Sequence, residues 1–188
     1  YILNKRICGC GATEAYLRSG RKVILASPRK HLLYNKYSQH LSDNLHLYRY
    51  QGDKKRYFEN TGNTEKDILA FNNELGRYLQ SGGRKILTTY DSLGKIQEVL
   101  ISSGECLQEW TVVVDEFQSM FCDCQYKATT EYEFSMILGM FSTVVYLSAT
   151  PFLESYLDMT GQFGGLTVYE LLWPANMTQI PEVEVIKS

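Results

Sequence analysis

The sequence predicts a doubly wound α/β domain, with a central, mostly parallel sheet of about seven strands and helices on both faces. Three observations carry this expectation. Short β-branched runs recur along the whole length, each followed by a polar turn and a segment of helical period. The runs Val112-Val113-Val114 and Val144-Val145-Tyr146-Leu147 are apolar on both faces, as strands covered on both sides must be. At 188 residues, with 44% hydrophobic and 21% charged residues, the chain can bury one proper core, which excludes disordered and low-complexity classes.

Taken in order, candidate strands fall at 6–8, 22–26, 45–48, 84–88, 111–114, 143–147 and 168–172. Candidate helices alternate with them at 13–18, 31–40, 65–80, 91–101, 131–140 and 152–158. The 65–80 segment has the clearest period, with Ile68, Leu69, Phe71, Leu75, Tyr78 and Leu79 on one face. Residues 51–64 break the scheme: they are polar, carry Lys54-Lys55-Arg56 and read as a surface loop or small hairpin. The pattern also lapses over 174–188, a stretch with two prolines that suits an exit linker, so the predicted domain is 1–173. No internal repeat is visible.

Charge and cysteine content narrow the function classes. Lys plus Arg is 19 against 21 for Asp plus Glu, a net charge of −2 that rules out histone-like nucleic-acid binding but leaves room for a local basic face. No apolar run approaches the ~20 residues of a membrane span. The start, Tyr-Ile-Leu-Asn-Lys-Arg, has neither secretory-signal character nor an initiator Met, consistent with a trimmed piece of something longer. Five cysteines, Cys8, Cys10, Cys106, Cys122 and Cys124, form an odd set with no signal peptide, so free thiols in a cytoplasmic protein are expected. The two Cys-x-Cys pairs favour buried or loop thiols over a zinc site, which more often uses Cys-x2-Cys spacing.

In open α/β sheets ligands bind beyond the carboxyl ends of the strands. The predicted strands end, in order, in Gly9-Cys10-Gly11-Ala12-Thr13, Ser27-Pro28-Arg29, Thr88-Thr89-Tyr90-Asp91-Ser92-Leu93, Asp115-Glu116-Phe117-Gln118 and Ser148-Ala149-Thr150-Pro151. Each alone is weak. Five in this order on one sheet edge are far more specific, and here the chain resembles the first RecA-like, P-loop NTPase domain of superfamily 2 helicases and translocases, with motifs I, Ia, Ib, II and III in sequence. The tail after Ser148-Ala149-Thr150-Pro151 also looks like replication helicases of bacteriophage or mobile-element type.

The resemblance implies ATP as substrate, Mg²⁺ as cofactor and nucleic acid as partner, DNA ahead of RNA, in a bacterial or phage-infected cytoplasm. It also implies a second RecA-like domain beyond the linker. Asp115 would hold Mg²⁺, together with the Thr13 hydroxyl, and Glu116 would orient and deprotonate the attacking water. Gln118 stands where DEAD and DEAH versions carry the residue that relays between motifs II and III. Ser148, Ala149 and Thr150 would couple hydrolysis to domain motion. Arg29 and Thr89, with Lys30 and Ser92 as lesser candidates, would grip the sugar-phosphate backbone.

The phosphate loop departs from the family. Gly9, Cys10, Gly11 and Thr13 fit a nucleotide cradle whose glycines admit phosphate closely, but Ala12 stands where the family has a lysine. Loss of such an electrostatic donor commonly costs ~10²–10³ in rate. Three explanations stand open. The branch naturally uses another cation, with Arg6 or a residue of a partner domain as candidates; the ATPase is degenerate and serves as a nucleic-acid or partner-binding module without turnover; or Ala12 is an engineered Lys→Ala change.

Overall fold

The computed structural model describes residues 1–6, 10–40, 44–48, 50–51, 56–57, 64–119, 134–149 and 166–171. Seven strands form one sheet: β1 (Ile2–Asn4), β2 (Lys22–Ser27), β3 (His46–Leu47), β6 (Lys85–Thr89), β7 (Trp110–Asp115), β8 (Thr143–Ser148) and β9 (Val168–Glu170). Their spatial order is β3-β6-β2-β7-β8-β1-β9, and every pairing is parallel. The expected mostly parallel sheet is thus wholly parallel. Two further strands, β4 (Tyr50–Gln51) and β5 (Arg56–Tyr57), pair antiparallel in a separate two-stranded sheet; most of the polar 51–64 stretch lies outside the described residues.

The helices are α1 (Ala12–Arg18), α2 (Lys30–Gln39), α3 (Thr64–Gln80) and α4 (Leu93–Ser102), and residues 134–138 are also helical. Strand alternation explains why both faces are covered. Ile24, Ile86, Val112 and Val114 pack with Phe71, Leu75 and Leu79 of α3, with Ile96 and Leu100 of α4, and with Phe134 and Leu138. Val23, Leu25, Leu87, Val113 and Leu147 point the other way and pack with Leu17 of α1 and Leu33 of α2. Successive residues of β2 and β7 therefore serve opposite cores, and both strands are almost wholly buried, as their unbroken apolar runs foretold.

The first strand is misplaced by the sequence reading. It lies at Ile2–Asn4 rather than 6–8, because that register aligns Ile2, Leu3 and Asn4 with Tyr146, Leu147 and Ser148 on one side and Val168, Tyr169 and Glu170 on the other. Lys5 and Arg6 thus belong to the turn after the strand. The expected helix at 152–158, the linker at 174–188, and Cys8, Gly9, Cys122, Cys124, Thr150 and Pro151 lie outside the described residues. Among those described, no helix is long and apolar enough to cross a membrane.

The amino edge of the sheet is tied by polar contacts. The Tyr78 hydroxyl accepts from the backbone N–H groups of Arg84 and Lys85, and its ring stacks on His46 at a centroid distance of 5.1 Å. Burial holds the His46 pKa down at about 4, against an ordinary 6.5. Since the unfolded imidazole binds its proton first, stability should be full above pH 6.5 and fall as pH drops towards 4. A loss on the order of 2–3 kcal/mol is expected across that window. Urea midpoints at pH 7 and pH 4.5 measure it, and His46→Phe should flatten the slope.

Candidate functional site

Because all seven strands run the same way, the segments following β1, β2, β6, β7 and β8 meet at one edge, and a cleft of about 560 Å³ opens there. Its walls bring together Lys5 after β1, the loop residues Cys10 and Gly11, Ala12 and Thr13 at the start of α1, Ser27 at the end of β2, Asp115 at the end of β7 with Glu116 and Gln118 after it, and Ala149 after β8. In the sheet, β8 lies between β1 and β7, so the Ser148–Ala149 segment is interposed between the loop strand and the acidic strand.

Asp115 is the hub. It ends β7 opposite Leu147 of β8, with one carboxylate oxygen 2.8 Å from Lys5 Nζ and the other 3.4 Å from the Thr13 hydroxyl, which donates to it. Residues 102 and 110 positions apart in sequence thus converge on one carboxylate. The Lys5 and Asp115 side chains are only 11% and 14% exposed, so the pair is shielded from bulk water and screened little by salt. Lys5 is anchored by its own backbone N–H, which donates to Ser148 O at 2.7 Å. The Tyr90 hydroxyl donates to the Asp115 carbonyl, and its acidity is suppressed by burial and then by the nearby Asp115 and Glu116 charges.

Backbone strain gathers at the same edge. Among the described residues, the non-glycine positions with positive φ are Arg6 at 55° and Glu116 at 57°. Each immediately follows a residue of the Lys5–Asp115 pair, and a left-handed conformation costs a side-chain-bearing residue on the order of 1–3 kcal/mol. Gly11, at φ 82°, adopts the same region without that cost and caps α1. α1 is seven residues long, so its end contributes little field, and the fixed charge of the cleft resides in side chains.

The cleft also holds the buried side-chain atoms left without a hydrogen-bond partner among the described residues, Ser27 Oγ and Gln118 Oε1. Orphaned polar atoms converging on one cleft fit a polar ligand that completes their bonding. An Asp115–Thr13 oxygen pair suits a hard cation such as Mg²⁺, and the loop backbone with Lys5 suits phosphate. No cluster of three or more His, Cys, Asp or Glu residues able to hold a metal ion occurs among the described residues, so the protein side of a cation site here is the Asp115–Thr13 pair. Of the cysteines, Cys10 is half-buried in the loop and Cys106 exposed, both as free thiols.

The expected nucleic-acid contacts divide. Arg29 and Lys30 are exposed just after β2, and Thr89 ends β6 in register with Ser27, so these three flank the cleft on the same edge. Ser92 does not join them: it is only 2% exposed, in a 3-10 turn where its hydroxyl oxygen accepts from Thr89 at 3.3 Å. Arg6, suggested as the replacement cation, points elsewhere. Its guanidinium pairs with Glu170 of β9 at 2.7 Å, with both side chains about half exposed. Sequence reasoning missed Lys5, Tyr90 and Lys36, the last lining the cleft from α2.

The strain at Glu116 is testable. Glu116→Asn retains a side chain that tolerates left-handed backbone, whereas Glu116→Gln removes the charge and keeps the strain. The Asn variant should exceed the Gln variant in stability by about 1 kcal/mol in chemical denaturation. Equal stabilities would place the conformation elsewhere.

No protein-family model matches the chain, and no curated protein matches it either.

Proposed function

We propose that this chain is the ATP-binding first motor domain of a superfamily 2 helicase or translocase, in which Mg²⁺-dependent ATP hydrolysis drives movement on nucleic acid. The observation that carries the reading is the meeting of Thr13 and Asp115 at 3.4 Å in a cleft at the carboxyl edge of a parallel sheet. In phosphate-loop NTPases a Ser or Thr hydroxyl that follows the loop and a strand-end Asp share the Mg²⁺, and here Thr13, in the first turn of α1, lies within reach of the Asp115 carboxylate.

The chain's own residues divide the work as follows. The loop from Cys10 to Thr13 presents backbone to phosphate, and the positive φ of Gly11 turns the chain without a Cβ in the way. Asp115 and Thr13 would hold Mg²⁺, and the cation would supply neutralisation of the phosphate charge. Glu116, lining the cleft beside Asp115, orients the attacking water and takes its proton. Its backbone is left-handed just past the strand end, and both adjacent acids line the cleft, where they serve separate duties. Gln118 offers an unpartnered amide oxygen to whatever donor completes the cleft.

Coupling to nucleic acid follows from adjacency. β8 pairs with both β7 and β1, and the Phe117 N–H donates to Leu147 O, so a shift at Glu116 is felt by the Ser148–Ala149 segment. Ser27 lines the cleft while its register partner Thr89 lies outwards on β6, with Arg29 alongside. A nucleic-acid backbone laid across Arg29, Lys30 and Thr89 would thus be one strand away from the phosphates. A second RecA-like domain would close the open side of the cleft.

Two measurements test this reading. ATP binding by this chain should depend on Mg²⁺, and Thr13→Ala or Asp115→Asn should remove that dependence with a loss of about tenfold or more in affinity. In the polypeptide carrying both motor domains, Glu116→Gln should lower nucleic-acid-stimulated hydrolysis by ~10²-fold or more and leave ATP binding intact. Hydrolysis undiminished in the Gln variant removes Glu116 as base. Binding of ATP without turnover, even in the unaltered two-domain protein, selects the degenerate module that Ala12 suggests.

A further inference from the structure

We infer that Lys5 is the phosphate-binding cation of this cleft, replacing the lysine that Ala12 lacks from a position before the loop. The inference rests on the nucleotide reading above and deepens it by assigning the missing charge to a residue of this chain.

Geometry makes the assignment. Lys5 directly follows β1 and lines the same cleft as Ala12, Thr13 and Asp115. Its ammonium lies 2.8 Å from Asp115 Oδ1, while Thr13 occupies the other oxygen at 3.4 Å. The lysine is therefore already next to the cation-binding carboxylate, where a loop lysine at Ala12 would otherwise have to reach. The backbone N–H of Lys5 is fixed to Ser148, and the left-handed turn at Arg6 sends the following side chain outwards to Glu170, which leaves Lys5 alone of the two facing the cleft.

Charge balance sets the order of events. A buried carboxylate with no cation is costly, so in the nucleotide-free chain Lys5 neutralises Asp115. A divalent cation on Asp115 and an ammonium at the same oxygen repel each other, and a polyphosphate relieves both by offering its own oxygens. Lys5 then exchanges Asp115 for a phosphate oxygen by rotating its four-carbon stem, with its backbone held in place. The pair is thus a parked form of the phosphate contact.

The test measures affinity by calorimetry for ATP, ADP and adenosine in the unaltered chain, Lys5→Gln, Lys5→Arg, Ala12→Lys and the Lys5→Gln/Ala12→Lys double variant. Lys5→Gln should weaken ATP by about ten- to hundredfold, ADP less, and adenosine hardly at all. Adding Ala12→Lys should restore most of the loss, because a lysine in the loop reaches the same oxygens. Equal ATP affinity in the Gln variant and the unaltered chain overturns the inference while leaving the nucleotide reading intact. Absence of ATP binding in the unaltered chain and in Ala12→Lys alike overturns the nucleotide reading itself. Should Lys5→Gln not fold because it strands Asp115, the double variant Lys5→Gln/Asp115→Asn removes both charges and is compared with Asp115→Asn, in which the ammonium of Lys5 remains. Without Mg²⁺, the pair should then differ about tenfold in ATP affinity, and equality again overturns the assignment.

Discussion

The organisation of this edge of the fold depends on the need to neutralise one carboxylate. Asp115 stands at the end of a strand whose other residues are fully or nearly buried, so its charge is held close to an apolar core. A lone ion there would be strongly penalised. The structure answers with an ammonium from beyond β8 and a hydroxyl from α1, and those two contacts tie the first strand and first helix to the middle of the sheet. They add to the backbone ladders and the buried Ile2 that hold the three-residue β1. The same atoms that could bind a nucleotide therefore also fasten the amino-terminal segment in its register.

The sequence made much of this legible, for identifiable reasons. β2, β6, β7 and β8 were found within a residue or two, since buried parallel strands show as unbroken β-branched runs, and α3 was found by its period. The gathering of strand ends at one edge followed from alternation alone. β1 was not placed, because three residues are too few to show a period and its position is set by register with Tyr146–Ser148 and Val168–Glu170. Misplacing it concealed Lys5, which read as a residue ahead of the strand instead of one projecting from its end. That Arg6, a candidate for the spare cation, faces Glu170 instead goes with a left-handed backbone angle, for which a non-glycine residue gives no sequence signal. The burial of Ser92 was illegible for a related reason: a hydroxyl in a motif-like string says nothing about whether a 3-10 turn buries it.

Tyr90 illustrates how polar contacts couple segments whose roles looked separate. Its hydroxyl supports the Asp115 carbonyl from the turn that begins at the end of β6, while its ring packs on Phe134 at 4.9 Å. The segment expected to meet nucleic acid is thus hydrogen-bonded directly to the acidic strand end. Any displacement of Thr89 or its turn would have to move the backbone of Asp115 or break a buried hydrogen bond, at a cost of about 1–3 kcal/mol. That is a physical link between two sites, where proximity alone would not be one.

The two edges of the sheet handle polar groups in opposite ways, and that contrast is the best reason to locate function at one of them. At the amino edge, Lys85 donates to Tyr16 O, Ser19 Oγ and Arg21 O, and Lys22 bonds both Glu105 and Glu109. Donors there are matched to acceptors within the chain, and among the described residues of this edge no side-chain-bearing residue is left-handed. At the carboxyl edge, Ser27 and Gln118 have buried atoms without partners, Arg6 and Glu116 are strained, and an ammonium is held on a carboxylate suited to a metal. Folding alone gives no reason to concentrate these costs in one cleft, since each could be removed by an ordinary substitution. A ligand bearing both negative charge and hydrogen-bonding oxygens would satisfy the orphaned atoms and accept the ammonium together, which makes the accumulated cost at this edge intelligible as preorganisation.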